Sequence, residues 1–174
     1  MALRIEALGP GHRPLLGTFQ NQHASLAEYL KRYALRHARK DLLARTFLAI
    51  DDLPSGPRLA GYFSLATVSV ERASALDLPI LNRLPRFPIP GVLLARLAVD
   101  TRVHGQGLGR YLFEEALGLT LQLAKSGPVA FRLLVTDAID AGAADFYRRH
   151  GLIALGDSYP CRMVLDLQPI LHGV

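Results

Sequence analysis

Gly105, Gly107 and Gly109 stand two residues apart in HGQGLG, between an apolar run, GVLLARLAVD, and a helical pattern, GRYLFEEALGLTLQLAK. Glycine lets the backbone turn so that successive N–H groups converge on one anion at the positive end of a helix. The stretch His104, Gly105, Gln106, Gly107, Leu108, Gly109 is therefore built to cradle a pyrophosphate, although a tight strand-to-helix connection can need one or two glycines for geometry alone. A Rossmann site would need parallel βαβ units and an acidic residue about 20 positions after the turn, and a Walker loop would need Gly-Lys-Ser/Thr at its end; neither is present. His104 has no cluster of metal ligands around it in the sequence, so it is either a donor to a phosphate oxygen or a surface-loop histidine. No carboxylate announces itself as a general base: Asp100 and Glu71 are nearby, with nothing to single them out.

The surrounding pattern supplies the scaffold. Residues 4–8 read as a short strand closed by Gly9 and Pro10, and Leu15 to Phe19 as a helical turn. Ser25 and Glu28 have capping-box spacing ahead of a long helix over 26–44, with Leu26, Leu30, Tyr33 and Leu42 on one face and Arg32, Arg36 and Arg39 on another. TFLAI, a turn at DDLPSGP and RLAGYFSLATVSV form a hairpin. Four prolines, at 79, 85, 88 and 90, make 71–91 a long ordered connection with at most one helical turn. GVLLARLAVD is a strand covered on both faces, PVAFRLLVTD another buried strand, DAGAADFYRRHG a short helix ended by Gly151, and CRMVLDL a last strand. The predicted order is β-α-α-β-β-β-α-β-α-β, an α/β arrangement with a mixed, mostly antiparallel sheet flanked by helices.

With 174 residues, half of them hydrophobic, the chain can bury one sizeable core, and a single domain over 1–174 is expected. The lone Cys161 excludes an intramolecular disulfide. MALRIEALGPGHRP meets glycine and proline before an apolar signal core can form, and no run reaches the roughly 18 apolar residues of a membrane helix, so a soluble, cytoplasmic protein is expected. The net charge of +5 is carried almost wholly by arginine, with lysine only at 31, 40 and 125. Arginine's planar fork suits phosphate, which leans toward a nucleotide cofactor or RNA; a merely solvated basic surface is the equal alternative.

The stretch VLLARLAVDTRVHGQGLGRYLFEEAL resembles the signature of the GNAT acetyltransferases, whose turn is Arg/Gln-x-x-Gly-x-Gly/Ala, with Gly107 and Gly109 in register and His104 at the Arg/Gln position. The resemblance implies the GNAT fold and acetyl-CoA as cofactor, with CoA as product and no metal. It implies that the main chain of Leu97, Ala98 and Val99 bonds the pantetheine arm and polarises the thioester carbonyl, while the glycine turn takes the pyrophosphate. DAGAADFYRRHGL resembles the second signature, Asn-x-x-Ala-x-x-x-Tyr then Gly-Phe, with Ala143 and Tyr147 in register, Asp140 for the asparagine and Leu152 for the phenylalanine. On that helix Phe146 is expected to face the core, leaving Tyr147 about 100° away and free to point into a cleft.

Acetyl transfer needs a neutral amine, a polarised thioester and a proton for the leaving thiolate. A phenol with a reference pKa near 10 can hold and deliver that proton to a thiolate whose thiol titrates near 8.5, which makes Tyr147 the general acid; a tyrosine that only packs is the plain alternative. An α-amine, near 8, has a useful neutral fraction without a dedicated base, whereas a lysine, near 10.4, needs more help, so an α-amine acceptor is favoured.

Over residues 25 to 168 the chain resembles one branch of the family, the GNAT toxins of bacterial toxin–antitoxin modules. That resemblance implies acetylation of the α-amine of aminoacyl-tRNA, a translational block and a ribbon-helix-helix antitoxin as partner; members of the branch often form a homodimer, and the sequence leaves open whether this chain does. Arg32, Arg36 and Arg39 on the second helix, with Arg86 and Arg96 near the fourth strand, could meet the tRNA, or could simply be solvated. Two other readings stay open: a GNAT enzyme acting on a small amine or a peptide N-terminus, and a non-catalytic module that binds acetyl-CoA and a protein partner.

Overall fold

The computed structural model describes residues 3–71, 83–84 and 86–173. Strand β1 (Leu3–Ala7) is followed by a helical turn, α1 (Arg13–Leu16), then α2 (Ala24–Arg32), α3 (Ala34–Arg36) and a π turn over His37–Asp41. Strands β2 (Arg45–Leu53), β3 (Gly56–Val70) and β4 (Ile89–Val99) come next, and helix α4 (Leu108–Ser126) follows. The chain ends with β5 (Leu133–Ala138), α5 (Ala141–Arg149), β6 (Ile153–Ala154), β7 (Cys161–Asp166) and α6 (Gln168–His172). The strands form one sheet in the order β1-β2-β3-β4-β5-β7-β6, with β4 and β5 parallel and the pairs β1/β2, β2/β3, β5/β7 and β6/β7 antiparallel. The expected mixed, mostly antiparallel sheet is present, with β6 and α6 as additions too short for a periodic signal. Among the described residues no helix is long and apolar enough to cross a membrane. Most of the 71–91 connection, with Pro79 and Pro85, lies outside the described residues.

Contacts gather the chain into two compact units. One takes in the chain up to Ala66 together with Ala95–Ala116; the other takes in the described residues from Thr67 to Leu94 and those from Leu117 onward. In the first, β2 and β3 form the expected hairpin, closed by a two-residue turn at Pro54 and Ser55, with Gly56 at φ +115°. Leu59 to Ser64 of β3 are buried without a break, the sign of a strand covered on both faces. The sequence places that pattern on β4 instead, where Leu93, Ala95, Arg96 and Leu97 are only half-buried. Tyr62 anchors this core: its ring meets Phe19 edge-on at 5.4 Å and its phenol donates to the Leu26 carbonyl at 2.7 Å.

The long helix expected over 26–44 is interrupted. Its N-cap is His23, whose amide donates to Asn21 Oδ1 at 2.9 Å, so Ser25 sits inside the first turn and Glu28 pairs with Arg32 at 3.2 Å instead of closing a capping box. Tyr33 takes φ −115°, which turns the helix there. The buried side is Tyr29, Leu30 and Ala34, with Leu26 partly covered, whereas Tyr33 and Leu42 point outward, Leu42 being 78% exposed at φ +53°. The predicted apolar stripe assumed an unbroken 3.6-residue period, which the turn at Tyr33 and the π segment shift.

The second unit has its own core of Val70, Ile89, Leu133, Val135 and Val164. A parallel ladder pairs Gly91–Leu94 with Leu133–Thr136, and Gly91 has no space for a side chain because a Cβ would come 2.8 Å from the Leu133 carbonyl oxygen. β5 begins at Leu133, five residues later than the apolar run suggests. Just ahead of it, the Arg132 amide donates to the Pro90 carbonyl at 2.9 Å.

At the end of β4 the buried Asp100 ties the first unit together. Its amide donates to the Ala60 carbonyl, and its carboxylate accepts from the Gln20 amide at 3.0 Å, the Arg102 amide at 2.9 Å and the Arg102 guanidinium at 2.7 Å. Burial alone pushes the carboxyl pKa up, but the hydrogen bonds from Arg102 and Gln20 outweigh it and hold the group below the ordinary carboxylate range. A lowered pKa means that this stabilisation is fully present above the unfolded value near 4 and is lost as pH falls through the folded value. Thermal unfolding of Asp100→Asn should therefore show a deficit of about 2–3 kcal/mol at neutral pH, constant down to about pH 4 and closing below it. A deficit independent of pH would show that the charge is not what matters.

Candidate active site

Asp100 launches the segment that carries the glycine turn. Its side chain caps a 3₁₀ turn over Thr101–Val103 by accepting from Arg102, and Thr101 in turn donates its amide to the Gln20 carbonyl at 3.0 Å. Asn21 Nδ2 donates to the Val99 carbonyl at 2.8 Å, which holds the last strand residue against the same segment. His104 follows at φ −61°, ψ 150°, and is exposed. Gly105 and Gly107 adopt φ +78° and +79°, and a Cβ at either would meet nothing within 4 Å. Glycine is thus needed for the backbone conformation and not for space. The first bond of α4 runs from the Tyr111 amide to the Gly107 carbonyl at 3.1 Å, so the N–H groups of Gly107, Leu108, Gly109 and Arg110 lack intrahelical acceptors. Two left-handed glycines and four helix-start amides form a main-chain anion cradle. Gln106 is exposed in the turn, while Leu108 is buried and anchors it.

Of the strand residues singled out, Ala98 and Val99 are buried and Leu97 is half-buried. β4 runs on to Val99 beyond the end of the four-pair parallel ladder, so that ladder does not consume the main-chain groups of Ala95–Val99. Gly61 lets this strand approach β3 closely: a Cβ there would lie 2.9 Å from the Ala98 carbonyl oxygen and 2.7 Å from Leu112 Cδ1.

In the second unit, Asp140 and Ala143 satisfy each other: Asp140 is the N-cap of α5, and its Oδ1 accepts from the Ala143 amide at 2.8 Å. Phe146, expected to face the core, does not fill that position. Tyr147 is 8% exposed and shares the inward side of α5 with Ala144, three residues earlier, while Phe146 is only partly covered and packs on His150 with ring centroids 4.5 Å apart. An i, i+3 pair on one side of a short helix decides this, not the greater hydrophobicity of phenylalanine. Leu152, at the family's phenylalanine position, is buried and donates its amide to the Tyr147 carbonyl at 3.1 Å. Burial raises the Tyr147 pKa and a hydrogen bond with Thr136 opposes the rise only in part, so the phenol is a neutral proton donor throughout the physiological range. Sequence reasoning missed Thr136, whose signal was one hydroxyl inside an otherwise apolar run.

Arg32, Arg36 and Arg39 share a groove of about 980 Å³ with Arg13, Lys31 and Lys40 over a floor that includes Leu16 and Leu35. Arg32 pairs with Glu28 and Arg36 with Asp41 at 2.9 Å, whereas Arg13, Lys31, Arg39 and Lys40 have no carboxylate partner among the described residues. Arg13 and Lys31 escaped notice because the first lies on a separate helical turn and the second falls between the three arginines in sequence. Arg86 is exposed. Arg96 is not a free surface cation: its guanidinium lies 3.6 Å over the Tyr29 ring. Asp100, held by four hydrogen bonds as an anion, is unsuited to take a proton, and among the described residues no three His, Cys, Asp or Glu side chains cluster as metal ligands.

No family model matches the chain. The tRNA-acetylating toxin of Mycobacterium tuberculosis is 34% identical over 131 residues, which span 75% of this chain and 73% of that protein. Among solved structures, AtaT complexed with acetyl-methionyl-tRNAfMet matches with a TM-score of 0.83 at 26% identity over 97% of both chains. A tyrosine-to-phenylalanine mutant of KacT matches with a TM-score of 0.87 at 25% identity over the full length of both. AtaTR bound with AcCoA shares the fold, with a TM-score of 0.77 at 24% identity over 97% of this chain and 95% of that one. The glycine turn, the tyrosine helix and this degree of identity together show that the chain belongs to the family of the tRNA-acetylating toxins, GNAT acetyltransferases of bacterial toxin–antitoxin modules.

Proposed function

We propose that this protein transfers the acetyl group of acetyl-CoA to the α-amine of aminoacyl-tRNA and so blocks translation. The observation that carries the reading is the left-handed pair Gly105 and Gly107 ahead of α4, a main-chain anion cradle in a chain of this family. The cradle fits the cofactor: Gly105, Gln106, Gly107, Leu108 and Gly109 would hold the pyrophosphate through main-chain amides, with His104 as an added donor, and Leu97, Ala98 and Val99 would bond the pantetheine arm. Asp140 and Ala143 would order the start of α5. Acetyl-CoA supplies the acetyl group as a thioester. Tyr147 carries at its Oη the proton that must reach the departing sulfur, and its burial keeps that proton in place at neutral pH. With Asp100 held as an anion by Arg102, the amine must arrive largely neutral, which favours an α-amine over a lysine.

The basic groove is assigned to the tRNA backbone. Arg39, Lys31, Lys40 and Arg13 offer charge without a competing carboxylate among the described residues, Arg32 and Arg36 add forks that a phosphate can recruit from exposed ion pairs, and Arg86 extends the basic surface. Arg96 contributes its charge from over the Tyr29 ring. Family membership carries the rest of the proposal: a ribbon-helix-helix antitoxin as partner, action in the cytoplasm on charged tRNA, and a homodimer.

Transfer of labelled acetyl to charged and uncharged total tRNA tests the reading. Label should appear on charged tRNA alone, and Tyr147→Phe should lower kcat by about 10²–10⁴-fold. Label on neither pool, with acetyl-CoA still bound, would remove tRNA as the substrate. Arg36→Glu with Arg39→Glu should raise KM for charged tRNA, leave kcat unchanged and reduce the salt dependence of binding by about one counterion per lost contact. An unchanged salt slope would place the tRNA elsewhere.

A further inference from the structure

Thr136 lies in β5 at 2% exposure, beside the fully buried Leu134 and Val135. It is the last β5 residue in the parallel ladder with β4, opposite Leu94, and beyond that pair β4 continues to Val99 outside the ladder. Its hydroxyl donates to the Leu94 carbonyl oxygen at 2.9 Å, and the same hydroxyl is hydrogen-bonded to the phenol of Tyr147. A threonine hydroxyl has one proton and two lone pairs. With that proton committed to Leu94, the phenol is the donor to Thr136 Oγ1. Once the phenol has given up its proton, the threonine O–H can rotate about its C–O bond and donate to the phenolate oxygen, leaving the Leu94 carbonyl at the open end of the ladder.

We propose that Thr136 is a positioning residue for Tyr147: it fixes the phenol oxygen where the β4–β5 ladder ends and turns its own hydroxyl toward that oxygen as the phenol ionises. The proposal rests on Tyr147 as general acid. In the transfer step the phenol O–H turns from Thr136 Oγ1 toward the departing sulfur, the O–H bond breaks and its proton goes to that sulfur. The acetylated amine sheds one proton as its new C–N bond forms, and that proton restores the phenol. The threonine O–H bond stays intact throughout. Thr136 also opposes the rise that burial causes in the phenol pKa, as a donor to the ionised form must.

The test is a double-mutant cycle on the full-length enzyme, with kcat and KM for acetyl-CoA measured in acetyl transfer to charged tRNA and thermal unfolding recorded alongside. Thr136→Val, which keeps the shape and removes the hydroxyl, should lower kcat roughly tenfold, the worth of one hydrogen bond, with KM unchanged. Thr136→Ser, which restores the hydroxyl, should recover most of the rate. In a Tyr147→Phe background, Thr136→Val should have no further effect on kcat. A wild-type kcat in Thr136→Val, or the same loss whether or not Tyr147 is present, overturns the role of Thr136 and leaves Tyr147 as general acid. A wild-type kcat in Tyr147→Phe overturns the general acid and this proposal with it. If Thr136→Val unfolds, the serine variant decides: failure to match the wild-type rate while folding normally counts against a role for the hydroxyl alone.

Discussion

The Asp100 carboxylate is the constraint on which the glycine turn depends. A carboxylate taken out of water is costly unless donors replace the solvent, and here Gln20, the Arg102 amide and the Arg102 guanidinium do so. Each donor comes from a segment that has to be in a particular place. Gln20 and Asn21 lie just ahead of α2, Arg102 lies in the turn leading to the glycines, and the Asp100 amide is pinned to Ala60 of β3. One buried anion thus fixes where β4 stops and in which direction the chain leaves it. A group held as an anion by so many donors is itself poorly suited to take a proton.

The work divides between main chain and side chain. At the glycine turn, conformation is the property on which the proposed function draws: positive φ at Gly105 and Gly107 presents amides, and nothing crowds their Cα atoms. At Tyr147 the property on which the proposed function draws is a protonation state. Burial, Thr136 and the N-cap made by Asp140 keep a neutral phenol on an ordered helix. The first arrangement tolerates sequence change at His104 and Gln106, because amides do not depend on side chains. The second tolerates little, because a phenol with neither burial nor partner would be free to turn away.

The features legible in the sequence were those with local causes. The glycine turn and the hairpin at Pro54 and Ser55 follow from residue types that few other conformations can use, whereas the register of Ala143 and Tyr147 is legible only through the resemblance to the family signature. What escaped depended on tertiary partners. Ser25 and Glu28 have the spacing of a capping box, yet Asn21 orders the His23 amide and Arg32 takes Glu28, so the helix starts one residue before the serine. The stripe of Leu26, Leu30, Tyr33 and Leu42 fails because the helix turns at Tyr33. Phe146 was expected to take the core-facing position of α5 that Tyr147 occupies, since hydrophobicity ranks phenylalanine above tyrosine and says nothing of a threonine on a neighbouring strand. Arg96 reads as surface charge until the Tyr29 ring is found beneath it.

In the proposed function, main-chain amides of the glycine turn hold the pyrophosphate of the cofactor. The most direct measurement compares calorimetric affinities for acetyl-CoA and for acetyl-pantetheine, which keeps the thioester and lacks the pyrophosphate, in the wild type and in Gly107→Val. The wild type should favour acetyl-CoA by at least about tenfold, and Gly107→Val should lose that preference while binding acetyl-pantetheine as before. Equal wild-type affinity for the two ligands would contradict the account.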